Sequence, residues 1–251
     1  MFSYDAPQDL LKDRIILVTG AGDGIGRAAA HAYAAHGATV VLLGRTLEKL
    51  EQVYDELEKA GAAQPAIVPL NLETAAEHDY IELTNQLDDT FGRLDGVLHN
   101  AGLLGLRTPL ESYDPSIWSQ VMKVNVQAPF MLTQALMPLL KRSDDASVIF
   151  TSSGVGRRGR AHWGAYAVSK FATEGMSQVL ADELENISAI RVNCINPGAT
   201  RTAMRAWAYP AEDPQRNPAP EEIMPVYLYL MGPDSKGVNG QSLDAQGHDH
   251  A

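Results

Sequence analysis

Residues 15–26 read Ile15-Ile16-Leu17-Val18-Thr19-Gly20-Ala21-Gly22-Asp23-Gly24-Ile25-Gly26, and Arg27-Ala28-Ala29-Ala30 follow at once. An unbroken apolar run of five predicts a strand buried on both faces, and the alanine-rich run predicts a helix. Between them the glycines allow a tight turn and a close approach of backbone N–H groups to a ligand. A glycine turn feeding a helix N-terminus is a ready anion site, of the size and polarity to take a pyrophosphate. The pattern G-x-G-x-x-G does not fit this stretch, whereas T-G-x-x-x-G-x-G does, through Thr19, Gly20, Gly24 and Gly26. Taken alone, the loop also reads as a plain turn.

Outward from this loop the chain repeats the same alternation. Strands are predicted at Ile15–Thr19, Thr39–Leu43, Ala66–Leu70, Gly96–His99, Ser147–Thr151, Ile190–Ile195 and Ser242–Asp244. Helical patterns fall between them, among them Gly24–His36, Leu47–Lys59 and Glu73–Phe91. Repeated β-α-β units predict an α/β fold: one doubly wound parallel sheet of about seven strands, with helices on both faces. Right-handed crossovers bring the strand C-terminal ends to one edge, where ligands bind. The length, 251 residues, suits a single domain spanning 1–251. Five prolines between Arg201 and Pro225 predict an irregular excursion there, a substrate lid at about 200–225.

The net charge of −11, from 20 basic and 31 acidic residues, argues against nucleic acid or an anionic membrane as partner. The start of the chain is polar, with no signal-like apolar segment, and no run approaches a membrane span, so the expected location is cytoplasmic. The lone cysteine, Cys194, lies in an apolar strand and reads as a core residue. No metal is expected. The histidines show no ligand spacing beyond the terminal His248-Asp249-His250, which a frayed tail from Gly247 explains more cheaply.

Tyr166 and Lys170 are spaced i, i+4, which puts both on one helix face. An ammonium beside a phenol moves its pKa down by roughly 1–3 units, toward working pH, where acid–base catalysis is most effective. The competing reading is an ordinary surface pair.

The motifs taken together resemble the short-chain dehydrogenase/reductase family over nearly the whole chain. The T-G-x-x-x-G-x-G loop is joined by Asn100-Ala101-Gly102, by Asn125 in a V-N-V context and by Ser153. Tyr166-x-x-x-Lys170 and Pro197-Gly198 with Thr202 then follow in the family's order and spacing. Gln8–Lys12, Leu98–Leu104 and Asn196-Pro197-Gly198 add a likeness to its bacterial YciK-type branch of oxidoreductases. The resemblance implies a Rossmann fold and hydride transfer between a nicotinamide and a carbonyl or secondary alcohol. Tyr166, Lys170, Ser153 and Asn125 would be catalytic. Ser153 would hold the substrate oxygen, with Ser152 as its near alternative. Lys170 would also bond the nicotinamide ribose. Asn125 would hold a relay water, or else serve as a helix-kinking structural amide. The cofactor would touch Gly20, Asp23, Gly24, Ile25, Gly26, Arg45, Asn71, Leu72, Asn100, Ala101, Gly102, Pro197, Gly198, Thr200 and Thr202, besides Tyr166 and Lys170.

NADP(H) is favoured over NAD(H). Gly44 closes the second strand without a carboxylate, and Arg45 can clamp a 2′-phosphate through its fork of donors, unless it only caps the next helix. Asp23 speaks against this, standing where many NADP-preferring relatives carry a basic residue. Asn71, where relatives commonly have Asp, implies a weakened adenine contact through its amide oxygen. Arg157, Arg158 and Arg160, with Arg201 and Arg205, either receive an anionic substrate group or pair with acidic surface at a subunit contact. Members of this size form homotetramers or homodimers, and Met122–Leu140 and Phe171–Leu184 carry suitable apolar faces. Outside the catalytic reading stand a nucleotide-binding regulator or scaffold that keeps the fold, and a redox-neutral lyase or epimerase. The substrate itself is not legible.

Overall fold

The computed structural model describes residues 1–247, so the expectation for the terminal His248-Asp249-His250 lies outside the described residues. Seven strands form one sheet: β1 (Ile15–Thr19), β2 (Thr39–Gly44), β3 (Ala66–Pro69), β4 (Gly96–His99), β5 (Ala146–Thr151), β6 (Ile190–Asn196) and β7 (Ser242–Asp244). Their order is β3-β2-β1-β4-β5-β6-β7, and every pairing is parallel. The chain runs outward from β1 to β3, then returns to the centre and runs the other way. The reversal falls between β1 and β4, the crevice where open α/β sheets bind ligands.

Both faces of the sheet are covered, which accounts for the unbroken apolar runs. Ile16 and Val18 of β1 pack with helices α1 (Gly24–Ala35) and α2 (Leu47–Lys59) on one side. Ile15 and Leu17 pack with α3 (Glu77–Phe91), and with residues 128–140 and 181–184 of later helices, on the other. Next come α4 (Pro115–Met122), α5 (Ala128–Leu140), the long α6 (Gly164–Leu184), the short α7 (Ala203–Ala208) and α8 (Met224–Met231). A single widened turn, Lys123–Gln127, with π-type hydrogen bonding, joins α4 to α5. Cys194 is a buried free thiol among core residues. Among the described residues no helix is long and apolar enough to cross a membrane.

Two expected boundaries shift. The third helix begins at Glu77 rather than Glu73, because Asn71 starts a turn of its own. Its Oδ1 accepts from the Glu73 N–H at 3.1 Å, and its carbonyl accepts from Thr74 and Ala75. Asp79 then caps the true start by accepting from the Ala76 N–H at 2.8 Å. The proline-rich stretch also holds more structure than its composition suggests. It contains α7 and two 3₁₀ turns, Pro214–Arg216 and Pro220–Ile223. Pro225 does not interrupt α8. It occupies the first turn, where a missing N–H costs nothing.

Candidate active site

Two adjoining cavities, about 270 Å³ and about 450 Å³, open along the C-terminal strand edge and share Gly20, Asp23, Arg45, Ala101 and Gly102. The smaller takes in Gly44, Lys49, Asn71 and Leu72 at the end of β2. The larger takes in Gly24, Ile25, Asn100, Ser153, Tyr166, Lys170, Pro197, Gly198, Thr200 and Thr202. Every residue expected at the site borders one of the two except Gly26 and Asn125.

Gly26 acts from beneath. A Cβ there would lie 2.2 Å from the Gly20 carbonyl oxygen and 2.7 Å from Asn100 Nδ2, so only glycine lets α1 start this close to the loop. Asp23 caps that helix, its Oδ1 accepting from the Gly24 N–H at 2.8 Å. Thr19 ties the loop to β4: its Oγ1 accepts from Asn100 and Ala101 N–H groups at 2.9 and 3.0 Å. The Asn100 Nδ2 donates to the Thr19 carbonyl at 3.4 Å, which braces the sheet edge. The result is a glycine-lined cradle at a helix N-terminus, and these residues fit a dinucleotide.

At the β2 end the structure answers the objection raised by Asp23. Lys49 forms an ion pair with it and holds its carboxyl below the usual carboxylate range. Arg45 is exposed, borders both cavities and has no hydrogen-bond or ionic partner among the described residues. It therefore does not cap α2, whose N-cap Thr46 makes no side-chain bond either. Lys49 went unrecognised in the sequence. Its signal is a cation in the first turn of a helix, where the macrodipole disfavours one. At Asn71 the amide oxygen assigned to adenine is already shared with the Glu73 N–H, leaving one lone pair.

Tyr166 and Lys170 lie on the first two turns of α6, and the lysine is buried. Lys170 Nζ donates to the Thr151 carbonyl at 2.6 Å and stands 5.5 Å from the centre of the Tyr166 ring. The expected lowering of the phenol does not hold. Burial dominates and pushes Tyr166 up to about 12, opposed by its hydrogen bond with Ser153. Burial likewise brings Lys170 down to about 8, against the pull of Cys194 and Glu174. Desolvation favours the neutral form of each group. Ser153, not Ser152, is the serine paired with the phenol. Both border the cavity, but the Ser152 hydroxyl is buried with no hydrogen-bond partner among the described residues.

Asn125 sits in the widened turn, behind the cavity. Its Oδ1 accepts from the Leu103 N–H at 2.8 Å, and its Nδ2 donates to the Leu103 carbonyl at 2.9 Å and to Ser169 Oγ at 3.0 Å. Both amide protons are thus spent on structural bonds at the widened turn. His99 is buried, stacked on Phe150 at 4.7 Å, and held neutral by burial at a pKa of about 3. The arginines divide. Arg157 is turned away, bonded to Asp244 at 2.7 Å and to Ser242, so it does not serve the cavity. Arg205 borders the cavity but is committed to Glu212 through two bonds of 2.6 Å. Arg201 bonds Gln215, and the exposed Arg160 reaches only the Tyr209 hydroxyl at 3.5 Å.

A parallel sheet reversing at β1/β4, a glycine cradle at the crevice and a Tyr/Lys/Ser cluster facing it define a nucleotide-dependent oxidoreductase architecture. Residues 14–213 match the short chain dehydrogenase family, and the chain belongs to it. It is 58% identical to the uncharacterized oxidoreductase YciK of Escherichia coli K12, over 97% of this chain and 96% of that one. A short-chain dehydrogenase structure from Pseudomonas syringae shares 64% identity and superposes with a TM-score of 0.94, covering 98% of this chain and 100% of the other. Another, from E. coli CFT073 in complex with NADPH, shares 60% identity at a TM-score of 0.93, covering 96% and 99%.

Proposed function

We propose that this protein is an NADP(H)-dependent oxidoreductase that interconverts a carbonyl and a secondary alcohol through Tyr166, Lys170 and Ser153. The observation that carries the reading is the convergence of these three side chains on one cavity, continuous with the Gly20–Gly26 cradle. Bound there, the nicotinamide would supply or accept the hydride at the carbonyl carbon. Ser153 donates to the substrate oxygen and holds it beside the phenol. Tyr166, neutral at working pH, gives its proton to that oxygen as the alcohol forms, and takes it back in the reverse direction. Lys170 stabilises the phenolate so formed and bonds the ribose. Asn125 keeps Leu103 in place beside Gly102 and holds Ser169 next to Lys170.

The choice of NADP(H) rests on Arg45 and Lys49. Together they present two cations at the end of β2, with Gly44 leaving room and Asp23 neutralised, and the NADPH complex of the 60%-identical relative supports it. The segment from about 200 to 225, carrying α7 over the cavity mouth through Ala203, Met204 and Ala208, serves as the substrate lid of a single domain. Exposed Phe130, Val168, Phe171 and Val179 on α5 and α6 are suited to a contact between copies of the chain in a dimer or tetramer. A panel of carbonyls with NADPH and NADH, and of alcohols with the oxidised forms, tests the activity. Turnover preferring NADPH is expected. Tight NADPH binding with no turnover on any substrate would replace the reading with a nucleotide-binding regulator.

A further inference from the structure

Gln246 follows β7 by two residues and has no part in the reaction just described. Its Nε2 donates to the Pro197 carbonyl at 2.8 Å and to the Ala199 carbonyl at 2.9 Å, and lies 3.4 Å from Thr200 Oγ1. One amide therefore gathers three acceptors of the turn after β6. Gly198 sits in the middle of that turn at φ +71°, and a Cβ on it would lie 2.9 Å from Nε2, so the turn is folded closely around the amide. The cavity borders Pro197, Gly198 and Thr200 but not Gln246, which places Gln246 on the far side of the turn. A trans peptide points its C=O and N–H in opposite directions. Drawing the Ala199 carbonyl toward Gln246 thus turns the Thr200 N–H the other way.

Gln246 is itself held on both sides. The Ala245 N–H donates to the Asn196 carbonyl at 2.9 Å, and the Phe2 N–H donates to the Ala245 carbonyl at 2.8 Å, so the start of the chain straps this end of the sheet. We infer that Gln246 is a positioning residue for the nicotinamide half of the cofactor, because the turn it holds borders the same cavity as Ser153, Tyr166 and Lys170. It fixes the Pro197–Thr200 turn so that its cavity side is ordered before the ligand arrives. The inference rests on the cofactor reading above and extends it to a residue that touches neither cofactor nor substrate.

Gln246→Met keeps the length and removes the donors, and Gln246→Glu sets a carboxylate against the two carbonyls. Each is compared with wild type for NADPH binding by fluorescence and for 2′,5′-ADP binding by calorimetry, with melting curves to establish folding. The second ligand carries the adenosine phosphates and lacks the nicotinamide half. The NADPH Kd is expected to rise by about tenfold or more, the scale of one or two net hydrogen bonds, while the 2′,5′-ADP Kd stays within about twofold. An unchanged NADPH Kd, or a parallel rise for both ligands, overturns the inference. Failure of the cofactor reading shows separately, as wild type that binds neither ligand, and the inference falls with it.

Discussion

Replacing Arg45 with alanine should change the nucleotide preference without touching the chemistry. A charge-assisted hydrogen bond to phosphate contributes roughly 1.5–3 kcal/mol. Arg45 is exposed, so solvent and salt pull the value toward the lower end. At about 1.4 kcal/mol per factor of ten, the NADPH Kd should rise about tenfold, and no more than about a hundredfold. NADH, with a hydroxyl in place of the phosphate, should bind the variant as it binds wild type. Lys49→Met carries a second consequence, because Lys49 neutralises Asp23 as well as facing the cavity. Its loss leaves a carboxylate in the same cavity as the phosphate, and Asp23→Asn in that background should recover part of the affinity. The assay is fluorescence titration with both nucleotides at low and high salt. Wild-type preference for NADPH should narrow as salt rises, and the Arg45→Ala preference should respond less. Equal losses for NADPH and NADH would refute the phosphate assignment.

The buried groups give two predictions about pH. Lys170 is brought down to about 8 by burial, and kcat/KM for NADPH reports the enzyme form that binds it, so kcat/KM for NADPH at saturating carbonyl should hold below about 8 and decline above it as the ammonium is lost. Tyr166, at about 12, stays protonated throughout; a profile flat to pH 10 would contradict the assignment. His99 is held neutral down to about 3, whereas in the unfolded chain it takes its proton near 6.5. Between these values the unfolded state binds one more proton, so stability is lost as pH falls, by about 1.4 kcal/mol per unit from this group. Denaturant unfolding of His99→Asn across that range should show a shallower acid loss than wild type.

The sheet was readable because its physics is local. Five apolar residues followed by glycines and alanines have few alternatives, and all seven strands fall within a residue or so of where the apolar runs place them. Element starts were less readable where a side chain competes for the backbone, as Asn71 does ahead of α3 and as the tolerated first-turn Pro225 shows in α8. The site followed the same division. Residues carried by motifs at fixed spacing, such as Tyr166, Lys170 and Ser153, converge on one cavity. Partners set by tertiary contact were invisible. Lys49 meets Asp23 from another helix, Gln246 reaches back from beyond the last strand, and Arg157 is claimed by Asp244. The direction of the Tyr166 shift was misjudged for the same reason: spacing places an ammonium nearby, but only the packed structure shows how far burial outweighs it.

Tyr166→Phe removes the hydroxyl that donates the proton and leaves the rest of the side chain in place. Phenylalanine keeps the ring that packs against Trp163, so NADPH should bind within about twofold of wild type. Turnover of any carbonyl that wild type reduces should fall by about 10²- to 10⁴-fold, the contribution of a positioned general acid. Wild-type turnover in a folded, NADPH-binding Tyr166→Phe protein would contradict the account.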